Sequence, residues 1–384
     1  MVRREAGGRY VRVFLDATAV PADRGGVGRY VDELVPELDR LGQSLVIAAQ
    51  ARDGDLYARL APSAEIVTVP PALERRPFRM AWEQTGLPTL ARRVRADVVH
   101  SPHYTMPLAA GAPVVVTLHD ATFFTTPELH LRSKAAFFRN AIRTASRRAA
   151  ALVVPSRATR DEVLRLVGGE PTRFHVAYHG VDHDRFHAVG PEERRRVRST
   201  LDVGDSPYVA FLGTLEPRKN VSALVHAWVL ACEDREDPPA LVLAGGRGWD
   251  TTIDAAIADV PSHLTVRRPG YLPLEDLPGF LAGATVVAYP SLGEGFGLPV
   301  LEAMACGATV LTTRELSLPE VGGDAVAYCG TDDRSIAEAL SELLDSPERR
   351  RTLADAAVER AAGFTWAAAA EVHVQAYEAA LRDG

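Results

Sequence analysis

Short apolar runs recur along the chain, each followed by a segment whose apolar residues return at helical spacing. In the first half the runs fall at 11–17, 45–50, 66–70, 97–102, 113–120, 151–156 and 174–180. In the second half they fall at 208–214, 240–246, 264–270, 285–290, 309–313 and 325–330. Most are continuous, as in VVVTL and VAFLG, rather than alternating, which is the pattern of strands covered on both faces. Amphipathic segments such as 29–41 and 337–344 lie between them. Strands alternating with helices predict parallel, doubly wound α/β sheets, and thirteen strands are too many for one ordinary sheet. The expectation is two Rossmann-like domains, 1–190 and 191–365. The seam is sought at 186–205, where a charged helical stretch precedes the Ser206–Pro207 turn. An alanine-rich helix at 366–384 is expected to pack back on the first domain.

Composition narrows the class. The 384 residues are 47% hydrophobic and 24% charged, an ordinary globular balance. No apolar run reaches eighteen residues, so no transmembrane helix is expected. The N-terminal stretch carries charges before a run of only strand length, which does not read as a secretory signal. Three cysteines (Cys232, Cys306 and Cys329) without a CxxC pair exclude a disulfide scaffold and a thiolate zinc site. A cytoplasmic chain is expected. Charge is uneven: residues 1–188 hold 26 Arg/Lys against 20 Asp/Glu, and residues 189–384 hold 17 against 30, balances of +6 and −13 that sum to −7. The basic half suits an anionic acceptor or the inner face of an anionic membrane, and uneven surface charge without a partner explains it equally well. No basic run is interleaved with stacking aromatics, so nucleic acid is not an expected partner. Of 43 basic residues only Lys134 and Lys219 are lysine. Where arginine is the habit, a lysine marks a site for a compact point charge.

Open α/β sheets bind ligands beyond the carboxyl ends of their strands, so the strand-to-helix turns carry the candidate chemistry. The first turn holds Gly25-Gly26-Val27-Gly28. A dinucleotide fingerprint started at Gly26 needs glycine at Val31, so NAD is not expected, although bare backbone at a helix start can approach a phosphate. His119-Asp120 ends the fifth run and can bond a polar ligand. Ser156 reads as a helix N-cap. Gly213-Thr214-Leu215-Glu216-Pro217-Arg218-Lys219-Asn220 sets two cations at a turn, suited to a diphosphate or, alternatively, to a solvated pair capped by Asn220. The most informative run is Glu294-Gly295-Phe296-Gly297-Leu298-Pro299-Val300-Leu301-Glu302. Pro299 suits a first helical turn, and Gly295 and Gly297 leave the backbone before it bare. Two acids beside an anion site are tolerable where they accept hydrogen bonds from ligand hydroxyls, such as those of ribose and hexose.

With these residues the chain resembles the GT-B glycosyltransferases of family 4 (group 1), including its mannosyltransferase-like members. The resemblance covers nearly the whole length. The E-x7-E signature matches Glu294 and Glu302, and GGVGRY, VTLHDATFF, GTLEPRKN and GYLPLEDLPGFLAGATVVAYPS follow in the expected order. It implies two facing Rossmann-like domains with a catalytic cleft between them. It also implies that Glu302 holds the ribose hydroxyls, and that Glu294, with the N–H groups of Phe296, Gly297 and Leu298, holds the transferred sugar. Arg218 and Lys219 are implied to neutralise the diphosphate, Gly26 to approach it, and His119 to contact the donor sugar. Thr214 departs from the pattern, since many members have arginine there, which leaves the diphosphate to Arg218 and Lys219.

The resemblance further implies a retaining transfer without a bound metal or other cofactor, in which the departing phosphate oxygen takes the proton of the incoming hydroxyl. GDP-mannose is the first expectation for the donor, with UDP- and dTDP-sugars open. The acceptor is expected to be a glycan, a lipid-linked molecule or a small natural product. The stretch 75–82 mixes cations with apolar residues and could touch a membrane from outside; a buried helix with a basic edge explains it equally well. A nucleotide-sugar epimerase of the same fold and a non-catalytic nucleotide-binding protein are the alternatives.

Overall fold

The computed structural model describes residues 11–22, 24–204 and 206–383. Residues 1–10, on which the reading of the N-terminus rests, lie outside them, as do Asp23, Asp205 and Gly384. The chain divides into two compact units, one running to Gly180 and resuming at Trp366, the other Val181–Thr365.

The first unit is built on a seven-stranded sheet: β1 (Arg12–Asp16), β2 (Ser44–Gln50), β3 (Glu65–Val69), β4 (Val98–Ser101), β5 (Val114–Thr117), β6 (Ala151–Val154) and β7 (Phe174–Val176). Their order is β3-β2-β1-β4-β5-β6-β7, and every pair is parallel. The second unit has six parallel strands: β8 (Tyr208–Leu212), β9 (Ala240–Ala244), β10 (Val266–Gly270), β11 (Val286–Tyr289), β12 (Val310–Thr313) and β13 (Ala327–Cys329), ordered β10-β9-β8-β11-β12-β13. All thirteen runs are strands. Burial explains their composition: β4, β5, β6, β8, β9, β11 and β12 are buried throughout, whereas the edge strands β3 and β10 are partly exposed. The edge position lets β10 carry Arg267, Arg268 and Pro269, because a central strand could not give up the proline's hydrogen bond.

In each sheet the strand order reverses once, between β1 and β4 and between β8 and β11. At a reversal the connecting helices leave toward opposite faces, and the crevice at the strands' carboxyl ends stays open to a ligand.

The division of the chain falls at Gly180, ten residues before the expected 190. The corrected position has a packing cause. Val181 donates its N–H to the Phe364 carbonyl at 3.2 Å, and Phe186 is buried. The charged helix Pro191–Thr200 then packs on the helix Leu277–Gly283. The last helix, Trp366–Asp383, packs on the helix Gly26–Arg40 and on β4 to β7. Its buried residues, Trp366, Ala369, Ala370, His373, Val374, Ala376, Tyr377 and Ala380, recur at three and four positions, so one face is covered. No helix among the described residues is long and apolar enough to cross a membrane.

Candidate active site

In the second unit the strands flanking the reversal deliver one cluster. After β8 the chain forms a 3-10 turn, Pro217–Lys219, and Asn220 adopts left-handed backbone at φ +59°. After β11 comes the loop to the helix Leu298–Ala305. The two segments are stitched together: Leu292 N–H and the Ser291 hydroxyl both reach the Arg218 carbonyl, at 2.9 and 3.0 Å. Arg218 in turn donates to the Gly293 carbonyl at 2.6 Å. Glu294 sits between the cations, with Oε2 2.6 Å from Arg218 Nη1 and Oε1 2.6 Å from Lys219 Nζ. The Ser291 and Tyr289 hydroxyls add bonds to Oε1 at 2.8 and 3.0 Å.

The Arg218–Lys219 pair is therefore not solvated, and Asn220 makes no side-chain cap; its amide donates to the Thr331 carbonyl instead. Lys219 is only 8% exposed and Glu294 only 7%. Burial alone would raise the Glu294 carboxyl, but the Arg218 and Lys219 charges outweigh it and hold its pKa at about 2. Burial, helped by Arg218, lowers the Lys219 ammonium, with Glu294 opposing.

Gly297 caps the helix Leu298–Ala305 at φ +106°, a conformation a side chain would strain, and a Cβ there would meet Leu318 at 2.9 Å. Pro299 lies in the first turn. The Ser317 hydroxyl lies 2.8 and 2.9 Å from the carbonyls of Glu294 and Phe296, which turns those carbonyls inward and fixes the loop. Glu302 follows a turn into the helix and is 1% exposed. Phe296 is buried, and Leu298 is half-buried.

In the first unit Gly26 opens the helix Gly26–Arg40, with Gly25 as its extended N-cap. A Cβ on either glycine would meet nothing within 4 Å, so bulk can approach here from outside. Gly28 differs, because a Cβ there would lie 3.0 Å from the Arg24 stem. Arg24 is anchored to Asp53 at 2.7 Å and to Asp32 at 3.3 Å.

His119 lies two residues beyond β5 and donates from Nε2 to the Pro102 carbonyl at 2.7 Å. The neutral ring therefore carries its proton on Nε2 and presents Nδ1 as an acceptor. Burial lowers its pKa despite the Pro102 carbonyl and Asp120. Asp120 itself accepts from the Thr122 N–H and hydroxyl. Ser156 is an N-cap, accepting from Thr159 N–H at 3.0 Å.

The family description "Glycosyltransferase Family 4" matches residues 24–185, and "Glycosyl transferases group 1" matches residues 193–360. The chain is 31% identical over 306 residues to O-antigen chain mannosyltransferase B of Escherichia coli, covering 79% of this chain and 77% of that one. The chain belongs to the group 1 glycosyltransferases of family 4. It is also similar to a GDP-mannose-dependent alpha-(1-6)-phosphatidylinositol monomannoside mannosyltransferase of Mycolicibacterium smegmatis, at 29% over 367 residues, 90% of this chain and 91% of that. Among solved structures, Anabaena HepE in complex with UDP and glucose superposes with a TM-score of 0.75 at 19% identity, over 95% of this chain and 98% of that chain. WaaG, a lipopolysaccharide glycosyltransferase, superposes at 0.69 and 17%, over 92% and 95%. The fold is GT-B. This chain is a transferase that takes sugar from a nucleotide sugar.

This glycosyltransferase also uses residues that sequence reasoning passed over. Tyr289, Ser291 and Ser317 hold the Glu294 loop; for Tyr289 and Ser291 the available signal was a hydroxyl at or just beyond the carboxyl end of a buried strand. In the first unit a chain of hydrogen bonds runs through the core. His373 Nδ1 lies 2.7 Å from the Ala369 carbonyl and therefore carries a proton, so Nε2 accepts from the Tyr30 hydroxyl at 2.6 Å. Tyr30 must then accept from Thr117 at 2.9 Å, Thr117 from His100 Nε2 at 2.9 Å, and His100 Nδ1 from the Tyr377 hydroxyl at 2.9 Å. Each donor is used once and every ring stays neutral. The Tyr30 ring packs edge-on against His119, at 5.1 Å between centroids.

Proposed function

We propose that this glycosyltransferase moves mannose from GDP-mannose to an acceptor hydroxyl, with retention and without a metal ion. The observation that carries the reading is the buried Arg218–Glu294–Lys219 cluster beside the glycine-opened start of the helix Leu298–Ala305. As the bond from the sugar's anomeric carbon to the phosphate oxygen breaks, negative charge gathers on the diphosphate. Two cations already fixed in place stabilise that charge without reorganising. Both Glu294 oxygens are engaged by cations, which argues against this carboxylate as an attacking nucleophile. In our reading the departing phosphate oxygen accepts the hydroxyl proton while the acceptor oxygen bonds the anomeric carbon on the same face. Glu302 takes the ribose hydroxyls. Mannose is favoured because the relatives named above are mannosyltransferases, one of them GDP-mannose-dependent. The first unit takes the acceptor.

A thermal-shift series with GDP, UDP, dTDP and ADP in EDTA tests the donor. A nucleotide at a hundred times its dissociation constant adds about 2.7 kcal/mol, several degrees for a chain of this size. GDP is expected to give the largest shift. A response to UDP or dTDP instead removes mannose, and no response to any of the four removes the transfer reading. Lys219→Ala should lower turnover at saturating donor by roughly two to three powers of ten; unchanged turnover refutes the role given to the cations.

A further inference from the structure

A second polar cluster lies wholly within the first unit, at the reversal between β1 and β4. One face of that sheet, carrying Phe14, Val46, Ala48, Val99 and Val116, belongs to a single apolar core. Side chains return to the same face at every second residue. Asp16, Gln50 and Ser101 therefore continue this face at the carboxyl ends of β1, β2 and β4. Asp16 pairs with Ala48, and Ser101 follows His100, the partner of Leu15. The apolar face thus ends in three polar side chains, none more than 3% exposed.

The helix Arg76–Gln84 adds Arg79 and Glu83, one turn apart. Arg79 Nη1 donates to Glu83 Oε2 at 3.1 Å, and the Thr105 hydroxyl donates to the same oxygen at 2.6 Å. Asp16 uses Oδ1 for the Thr18 N–H and hydroxyl. Its Oδ2 lies 4.0 Å from Arg79 Nη1, beyond hydrogen-bond reach. Three more atoms here are buried and meet no partner among the described residues: Ser101 Oγ, Gln50 Oε1 and His103 Nδ1. Gln50 spends its amide N–H groups on the Thr18 and Leu73 carbonyls, so what it leaves unmet is an acceptor. A buried polar atom without a partner is rare in a native fold and costs stability. Several at one strand end mark a place for a ligand.

The unmet atoms are short of donors, and that selects the ligand's chemistry. A phosphate or carboxylate brings acceptors alone. It would also set a negative charge beside Asp16 and Glu83, whose carboxyls burial already raises against the pull of Arg79. An ammonium brings donors together with a positive charge. Burial lowers the His103 imidazole, and His119, Arg79, Lys134 and Arg76 lower it further, so another cation is opposed here as well. An uncharged hydroxyl donates and accepts at once. A ring with neighbouring hydroxyls can donate to Asp16 Oδ2, exchange a bond with Ser101 and accept from Arg79. The His103 ring lies 5.7 Å, centroid to centroid, from that of His119, to which the family resemblance gives the donor sugar.

We propose that Asp16, Ser101, Arg79 and His103 hold the acceptor, and that the ring they hold is an uncharged polyol, a pyranose or cyclitol bearing no phosphate, carboxylate or amine. This rests on the reading that the first unit takes the acceptor, and gives that acceptor a chemical class. Saturation-transfer NMR titrations of the full chain, with and without GDP, test it on matched probes: methyl mannoside, mannose phosphate and mannosamine, then inositol and inositol phosphate. The uncharged member of at least one set is expected to bind about tenfold more tightly than its charged counterparts. A hydrogen bond to a charged group is worth roughly tenfold or more. Asp16→Asn, which keeps an acceptor for Thr18, should therefore weaken the uncharged ring by about that factor and narrow its lead over the phosphate. Ser101→Ala removes a hydroxyl that has no protein partner, so the melting temperature should hold or rise while the uncharged ring binds several-fold more weakly. A hydroxyl that served the fold alone would leave that binding unmoved. An unchanged GDP-induced thermal shift in both variants shows that the donor site persists. If GDP gives no shift in the parent, the donor reading fails, and the titrations without GDP still decide this one. The proposal is overturned if a charged probe binds as well as its uncharged counterpart in both sets, if no probe binds, or if both variants bind the uncharged ring as the parent does.

Discussion

Replacing Glu294 by glutamine keeps the shape of the side chain and removes its charge. In the parent, the carboxylate lies 2.6 Å from both Arg218 and Lys219 and is 7% exposed, so it is the counter-ion of two cations that water scarcely reaches. Breaking a buried pair from one side costs about 3–5 kcal/mol, because the partner's charge stays behind. Hydrogen bonds from Ser291 and Tyr289 can still be accepted by the amide oxygen, which points to the lower half of that range. The second unit spans Val181–Thr365, and a domain of that size loses roughly 2–4 °C per kcal/mol. Glu294→Gln should therefore lower the melting temperature by about ten degrees, read by calorimetry or far-UV circular dichroism. The pH dependence has a definite sign. A carboxyl held at about 2 in the folded chain, against 4.5 ordinarily, contributes its stability in full above 4.5 and loses it as pH falls toward 2. The gap between parent and variant should be full at pH 7 and narrow as pH falls below 4.5. A change under two degrees, or a gap that stays constant from pH 7 to pH 3.5, refutes the assignment of Glu294 as the buried counter-ion.

Two further outcomes are expected. His100, His103, His119, His179 and His373 are all lowered, chiefly by burial, His373 to about 4, so each takes up a proton on unfolding once the pH falls below the ordinary 6.5. Urea midpoints for the first unit should fall as pH drops from 7 to 5, by up to about 1.4 kcal/mol per pH unit for each imidazole, and a flat profile refutes neutral buried rings. Gly245→Ala should destabilise by 2 kcal/mol or more, as its φ is +128° and a Cβ would lie 2.2 Å from the Gly213 carbonyl oxygen. Gly26→Ala, with open space around it, should change stability by less than about 0.5 kcal/mol, so that weaker nucleotide binding in that variant would report ligand approach; equal melting losses in the two alanine variants overturn the contrast.

The strands were legible because each is a short apolar run bounded by glycine, proline or a polar residue, and β10 kept its place despite two arginines because it lies on an edge. The seam was misplaced because the segment 181–190 gives no local sign that its hydrogen-bonding partner is Phe364, almost two hundred residues on. In the candidate site the residue types at the turns marked Arg218, Lys219, Glu294 and Glu302. Their arrangement was not legible: the residue types marked two cations at one turn and two acids at another, and only the fold shows that Glu294 is shared by both cations. The Tyr30, Thr117, His100, His373 and Tyr377 chain was invisible for the same reason, since its two ends on the last helix bond to partners 343 and 277 positions earlier.

The first unit is interrupted in sequence: it stops at Gly180 and resumes at Trp366. A ribosome emits the segment 181–365 complete while the last helix is still unmade. The domain encoded second can therefore close first, and the domain encoded first must wait, with the faces that will receive Trp366, His373 and Tyr377 uncovered. Such waiting exposes apolar surface to neighbours and to chaperones. A frameshift or early stop in the codons for residues 366–383 thus strikes the part of the molecule that was synthesised earlier.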